Sequence, residues 1–344
     1  MNENILETIK KNKKIKIQFI SDLLDNYKVH LTSYKGDEER KSILNYYCEK
    51  IYVINLKNDV IRRNYIKVLF GKLNIKYTLV VVEPISDELY SVLDGSKKQL
   101  SKSEVGCSLS HLWCLKHIIK NEFKKGALIF EDDVVVHKNF ENIFEQLFKE
   151  KQYDFLSMGG CDFDFSTINY KNVKNKLYQP SLNSTRCYGA HANYYSFEGA
   201  KYIFKIKSLF FSFFDNNFSY IFKHFSNSAY ITCPNLFVTD LSTSNINHNY
   251  YFFSSQEEYF YSNCFIDFQY ENYRFLYLSV IKKIIETCKT IKHKIEIDET
   301  NIYKLLHYVL NDENMEEEKR IEIIKRLDLD FFTCKDILAL GFTR

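Results

Sequence analysis

The chain has few of the residues that interrupt regular structure. Its 344 residues include 10 glycines and 3 prolines, which excludes a collagen-like or low-complexity polypeptide. None of its nine cysteines has C-x-x-C spacing, and an odd, scattered set reads as reduced core thiols in a cytoplasmic protein. No apolar run approaches the roughly 20 residues of a membrane span, and residues 209–214, the densest, are too short. The N-terminal charges are not followed by an apolar stretch of signal-peptide length. An excess of one charge is also lacking. A net charge of +3 gives no support to nucleic-acid binding, which shows as a concentrated basic surface, and the basic run at residues 9–16 reads as a solvated helix face. No Walker loop, dinucleotide-binding glycine fingerprint or Ser-His-Asp order is present.

What remains is a chain able to bury a large core: 45% hydrophobic residues, with 29 Phe and 26 Tyr. Residues 1–48 read as a helical N-terminal extension, with helices near 5–26 and 38–48 joined by a polar stretch. From residue 51 the pattern alternates: strand 51–56, helix 59–73, strand 77–82, helix 102–121, strand 127–131, helix 139–149, strand 154–158, then another strand and helix within 186–205. Alternation of this kind predicts mostly parallel strands with right-handed crossovers, a three-layer α/β sandwich. Residues 210–268 are aromatic, asparagine-rich and carry no clear period. Residues 271–344 show helical stripes with polar connectors and read as a small helical module able to contact a protein partner.

The most informative stretch is Gly126-Ala-Leu-Ile-Phe-Glu-Asp-Asp-Val-Val-Val136. A buried strand cannot carry three unpaired anions through its middle, so the strand is expected to end near Phe130 with the acids at its carboxyl end. Open α/β sheets bind ligands there, and carboxylates suit a hard divalent cation that also meets substrate phosphates. Solvated acids of a surface turn are the alternative. Upstream, Ser101 and Glu104 have capping-box spacing, opening a helix whose Val105, Leu109, Leu112 and Ile119 share one face. Cys107, His111 and Cys114 share a face as well. A fourth ligand at zinc spacing is missing, so the two cysteines read as packed thiols.

Taken together, Ile54-Asn55-Leu56 followed by Arg62-Arg63, the Glu104-x-Gly-Cys-x-x-Ser-His111 helix and Phe130-Glu-Asp-Asp-Val134 resemble glycosyltransferase family 25 in motif, order and interval. Fainter likeness continues through Tyr153–Gly159, Gly189-Ala-His-Ala192, Gly199-Ala200 and Phe214-Asp215. The resemblance spans roughly residues 49–250, within an expected catalytic domain of 49–270. One departure is Asn245, where the family commonly has an acid.

The resemblance implies a GT-A-like nucleotide-sugar transferase fold. It also implies inverting transfer of a hexose from a UDP-sugar to a hydroxyl of a glycan or a hydroxylated protein side chain. Carried over residue by residue, it makes Asp133 the first metal ligand, with Glu131 beside it. Period-2 alternation through residue 133 would put Glu131 and Asp133 on one side and Asp132 on the other, toward the donor. His248 is the candidate third ligand, and Mn²⁺ is favoured over Mg²⁺. Arg62 and Arg63, at a helix start where anions are favoured, would serve the donor, although adjacent helical residues point apart, so one of them is expected to face the site. Asn55 would meet the base, and Ser110 and His111 would neighbour the donor. Asp215 is the chosen general base among Asp162, Asp164, Asp215 and Asp240. Two alternatives stand: a non-catalytic relative that binds a nucleotide sugar or glycan, and a metal-dependent phosphoesterase.

Overall fold

The computed structural model describes residues 13–36, 41–94, 100–137, 139–160, 177–180, 188–209, 211–232 and 235–239. Helix α1 (Lys13–Asp25) leads into strand β1 (Val29–Tyr34), and the short helix α2 (Ile43–Tyr47) leads into β2 (Lys50–Leu56). Then follow α3 (Val60–Lys72), β3 (Tyr77–Val82), α4 (Asp87–Asp94), α5 (Lys102–Asn121) and β4 (Ala127–Glu131). Beyond them come β5 (Val134–Val136), α6 (Phe140–Glu150), β6 (Phe155–Ser157), β7 (Leu177–Tyr178), β8 (Ala192–Tyr195) and α7 (Phe197–Leu209). A 3₁₀ turn (Phe214–Asn217), α8 (Phe218–His224), β9 (Ala229–Thr232) and β10 (Phe237–Thr239) complete the described part.

Eight strands form one sheet in the order β1-β3-β2-β4-β8-β6-β9-β7. β3, β2 and β4 are parallel neighbours, as are β6 and β9, whereas β1, β8 and β7 pair antiparallel. β2, β3, β4, β6 and β9 therefore point one way and the other three point back. β3 is buried at all six positions, the pattern of a strand covered on both faces. One apolar cluster joins the sheet to α2, α3 and α6. The other joins it to α1, α5, α7 and α8, so the molecule has the expected three layers.

Two features depart from the sequence reading. The stretch taken as a polar linker is β1, which pairs with β3 from Val29 opposite Val82 to Tyr34 opposite Tyr77. Four of its six residues are exposed, so burial left no alternation to read, and its backbone ladder holds it. The N-terminal region is therefore not wholly helical. The second departure is a separate two-stranded sheet, in which the valines of β5 pair antiparallel with β10. Gly159, just after β6, shows why this region needs a glycine: a Cβ there would collide with His191 Nε2 and the Phe237 carbonyl. The C-terminal module, His248, Asn245, Asp162, Asp164 and Asp240 lie outside the described residues.

Candidate active site

The carboxyl ends of the parallel strands β2 and β4 converge on the acid triplet. β4 ends at Glu131, and Asp132 and Asp133 form a turn before β5. The strand does not persist to residue 133, so simple alternation no longer groups Glu131 with Asp133. Ala127 and Ile129, which share the pleat of Glu131, pack in the cluster containing α5, whereas Leu128 and Phe130 pack in the cluster containing α3. Glu131 accordingly points toward α5. The turn brings Asp132 and Asp133 together toward α3.

There a single guanidinium serves both acids. Arg62 Nη1 lies 3.2 Å from Asp132 Oδ1 and 3.1 Å from Asp133 Oδ2. Its helix is capped by Asp59, whose Oδ1 accepts from the Arg62 N–H at 3.2 Å. Asn55 Nδ2 donates to Asp132 Oδ2 at 2.6 Å and to the Asp59 carbonyl at 3.0 Å. Arg63 Nε donates to Asn55 Oδ1 at 2.8 Å, and its Nη2 donates to the Lys57 carbonyl. Both arginines belong to the assembly: Arg62 holds the acids and Arg63 fixes the amide that holds one of them. Burial pushes the Asp132 carboxyl up to about 7, with Arg62 and Asn55 pulling against it and Asp133 adding to the rise. Two carboxylates beside an arginine at a strand end offer the oxygen donors a hard cation takes, and a guanidinium that phosphate oxygens can share.

On the α5 side, Glu131 Oε1 lies 2.9 Å from His111 Nε2 and accepts from the Cys107 thiol at 3.5 Å. Burial pushes the Glu131 carboxyl up, but the hydrogen bond and charge of His111 outweigh it and hold it below the usual range. Burial and the Glu131 charge push the Cys107 thiol well above its ordinary value. His111 is fully buried, and its ring stacks on Phe214 at 4.2 Å. That stack docks the 3₁₀ turn carrying Asp215, whose Oδ2 accepts from the Gly189 N–H at 2.9 Å. Burial raises the Asp215 carboxyl, and the Gly189 bond partly offsets this. Asp215 thus neighbours Glu131 and Cys107. Ser110 is turned elsewhere: its hydroxyl donates to the Gly106 carbonyl at 2.7 Å and lies 3.4 Å from the Tyr27 hydroxyl. Cys114 is buried in the apolar core.

Two supports went unread in the sequence. Lys207 is fully buried on α7, and burial pushes its ammonium down to about 8. Its Nζ donates to Ser212 Oγ at 3.0 Å and to the Phe213 carbonyl, while Ser108 Oγ donates to the Ser212 carbonyl at 2.9 Å. Together they tie residues 212–213, and with them Phe214, to α5 and α7. The available signal was Lys207 itself, a lone cation four residues after Ile203 on the apolar stripe of α7. Asp59 was readable too, as an aspartate three residues before Arg62.

Comparison with known proteins finds matches over this region. A family model described as glycosyltransferase family 25 (LPS biosynthesis protein) matches residues 48–211, which include Asn55, both arginines, His111 and the acid triplet. This part of the chain is similar to glycosyltransferase family 25. The chain is also similar to a Haemophilus influenzae protein named "Putative glycosyltransferase", with 28% identity over 164 residues, 45% of this chain and 56% of the relative. The chain thus spans little more than half of that relative. Among the described residues no helix is long and apolar enough to cross a membrane.

Proposed function

We propose that the protein is a metal-dependent, inverting glycosyltransferase with a GT-A-like fold. It moves a hexose from a UDP-sugar to a hydroxyl of a glycan or a hydroxylated protein side chain. The observation that carries this reading is the Asp132–Asp133 pair bridged by Arg62 at the carboxyl ends of β2 and β4. Asp133, with Asp132 beside it, would hold a hard divalent cation, Mn²⁺ in preference to Mg²⁺. Such a cation supplies Lewis-acid stabilisation of the departing diphosphate.

The protein's own groups do the rest. Arg62, which lies beside both acids, would offer its planar fork to phosphate oxygens. Asn55, clamped by Arg63, orients Asp132 and would meet the donor's base. Asp215 takes the acceptor proton. Its burial-raised carboxyl suits a general base, because proton transfer is most efficient when the base's pKa nears the working pH. Its anchoring by the Gly189 N–H and by the His111–Phe214 stack fixes its position. Ser108 and Lys207 act as positioning residues for that turn.

The test is hydrolysis of a panel of nucleotide sugars with Mn²⁺, with EDTA, and by Asp133→Ala. Release of uridine diphosphate from one donor, abolished by chelation and by the substitution, is the expected result. Tight donor binding with no turnover in the presence of acceptor extracts would instead identify a non-catalytic binder. Absence of both turnover and metal-dependent donor binding would overturn the reading, and phosphate release from simple phosphoesters would replace it with a phosphoesterase.

A further inference from the structure

We infer that Cys107, His111 and Glu131 form a second cation site, selective for a borderline-soft divalent metal of the zinc type and open at its fourth position. The inference stands apart from the transferase reading, which rests on the neighbouring oxygen-only pair.

Geometry comes first. The Cys107, His111 and Glu131 donor atoms all lie within 4.8 Å of one another. Glu131 Oε1 is 2.9 Å from His111 Nε2 and 3.5 Å from Cys107 Sγ. Bonds of about 2.0–2.3 Å at tetrahedral angles space donors roughly 3.3–3.7 Å apart; the Glu131–Cys107 spacing already falls in that range, and the Glu131–His111 pair must open by about half an ångström. Cys107 and His111 stand one turn apart on α5, on one face. Both sit on a helix whose start is fixed by the Ser101–Glu104 capping box. The Glu131 backbone is fixed as well, since its N–H donates to the His191 carbonyl at 2.9 Å.

Chemistry then selects the ion. Thiol, imidazole and carboxylate together are a zinc-type donor set, in contrast with the all-oxygen set preferred by Mg²⁺ or Mn²⁺. Binding breaks the Cys107 S–H bond and the N–H bond that His111 Nε2 directs at Glu131; both protons pass to solvent as the sulfur–metal and nitrogen–metal bonds form. A thiolate and a carboxylate then balance the two positive charges, and the neutral imidazole adds none. The resulting group is formally neutral, as a half-buried position requires. Access is one-sided: the His111 side chain is fully enclosed, while that of Glu131 is 27% exposed. Three protein ligands with the remaining position toward solvent are the pattern of zinc sites that take water or a substrate oxygen.

One detail limits the affinity. With Nε2 on the metal, the one remaining ring proton is on His111 Nδ1, which has no hydrogen-bond partner among the described residues. The absence of an outer-shell acceptor costs about 10–100-fold in metal affinity. Binding should accordingly be weaker than at a structural zinc site by that factor.

The experiment uses the full chain, stripped by a chelator and titrated with Co²⁺ in the presence of excess Mg²⁺. The expected result is one equivalent giving a thiolate-to-cobalt charge-transfer band, with visible bands of four-coordinate intensity, displaced by Zn²⁺. Cys107→Ser and His111→Gln should each weaken Co²⁺ by more than about 10-fold. Cys114→Ser and Asp132→Asn/Asp133→Asn should leave the band in place. That last pair separates this site from the transferase reading, because the same variant removes donor turnover. A measurement on the wild type needs no variant to fold: saturating Zn²⁺ should slow alkylation of Cys107, mapped by mass spectrometry, at least about 10-fold. An unchanged alkylation rate overturns the proposal. So does a band that survives Cys107→Ser or one that disappears with the aspartates.

Discussion

The triplet Glu131-Asp132-Asp133 serves two clusters, and they differ in donor type, in charge and in the helix that completes them. On the α3 side, two carboxylates share the Arg62 guanidinium, and every donor to a cation would be oxygen. On the α5 side, a carboxylate meets an imidazole and a thiol. Three consecutive acids divide because β4 ends at Glu131. The last strand residue keeps its pleat direction toward α5, and the two turn residues do not. A single break in a strand thus gives one hard and one soft cluster within two residues of each other. Each can be disturbed from its own helix.

The largest effect should come from removing the cation built into the α3 side. Arg62 is 12% exposed beside Asp132 and Asp133 at 8% and 11%. Breaking such a charge assembly by removing one partner costs about 3–5 kcal/mol. Arg62→Leu should lower stability by that order in chelator. Millimolar Mn²⁺ should restore much of it, because the ion replaces the guanidinium. Denaturant midpoints with and without the ion check this, and equal loss in both conditions would show that Arg62 acts through packing alone. The Co²⁺ band of the α5 side should be unaffected.

Next in size is the aspartate pair itself. Asp132→Asn/Asp133→Asn should reduce donor turnover by at least about 100-fold, the scale of losing one charge-stabilising contact in a transition state. Donor release assays measure it. Retained turnover would move the proposed chemistry away from this turn.

A smaller, pH-dependent effect sharpens the contrast. Asp132, raised to about 7 mainly by burial, keeps a proton in the folded state that the unfolded chain releases from about pH 4 upward. The folded state binds more protons between these values, so stability falls as pH rises from about 4 to about 7 and this contribution is flat above. Asp132→Asn removes that slope. Unfolding of both proteins at pH 5 and pH 7.5, in chelator, should show the variant gaining relative to wild type at the higher pH. A constant difference would mean the carboxyl is not raised. The depressed Glu131 carboxyl contributes no such loss, whereas the burial-raised Asp215 carboxyl contributes one that Asp132→Asn leaves in place.

Much of this was legible in residue order, and the rest was not for identifiable reasons. β2, α3, β3, α5 and β4 follow from apolar runs, the Ser101–Glu104 spacing and the interruptions between them, because core burial imposes those periods. β1 escaped because an exposed edge strand is held by backbone bonds, which no side-chain pattern records. The grouping of Glu131 with Asp133 assumed that a strand continues, whereas the chain turns after Glu131. Cys107 and His111 were seen as neighbours, with Cys114 as their third partner. The third group is Glu131, twenty residues beyond His111, which only the packing of α5 on β4 brings there. Lys207 left only its place on the apolar stripe of α7 as a signal, and its partners at residues 212–213 come from the fold of the chain back onto α5 and α7.

The smallest predicted effects isolate the two clusters most cleanly. Asp59 caps α3 beneath Arg62, and Ser101 caps α5 six residues before Cys107. Replacing such a cap by alanine costs about 0.5–2 kcal/mol, and the loss falls on the N-terminal turns of its own helix. Asp59→Ala should therefore weaken Mn²⁺-dependent donor binding and leave the Co²⁺ band in place. Ser101→Ala should do the reverse, weakening Co²⁺ while sparing donor binding. If each substitution disturbs both readouts equally, β4 transmits strain between its two sides and the clusters are one site. If each disturbs only its own, the strand end separates them, and the division of three adjacent acids is a property of where β4 stops.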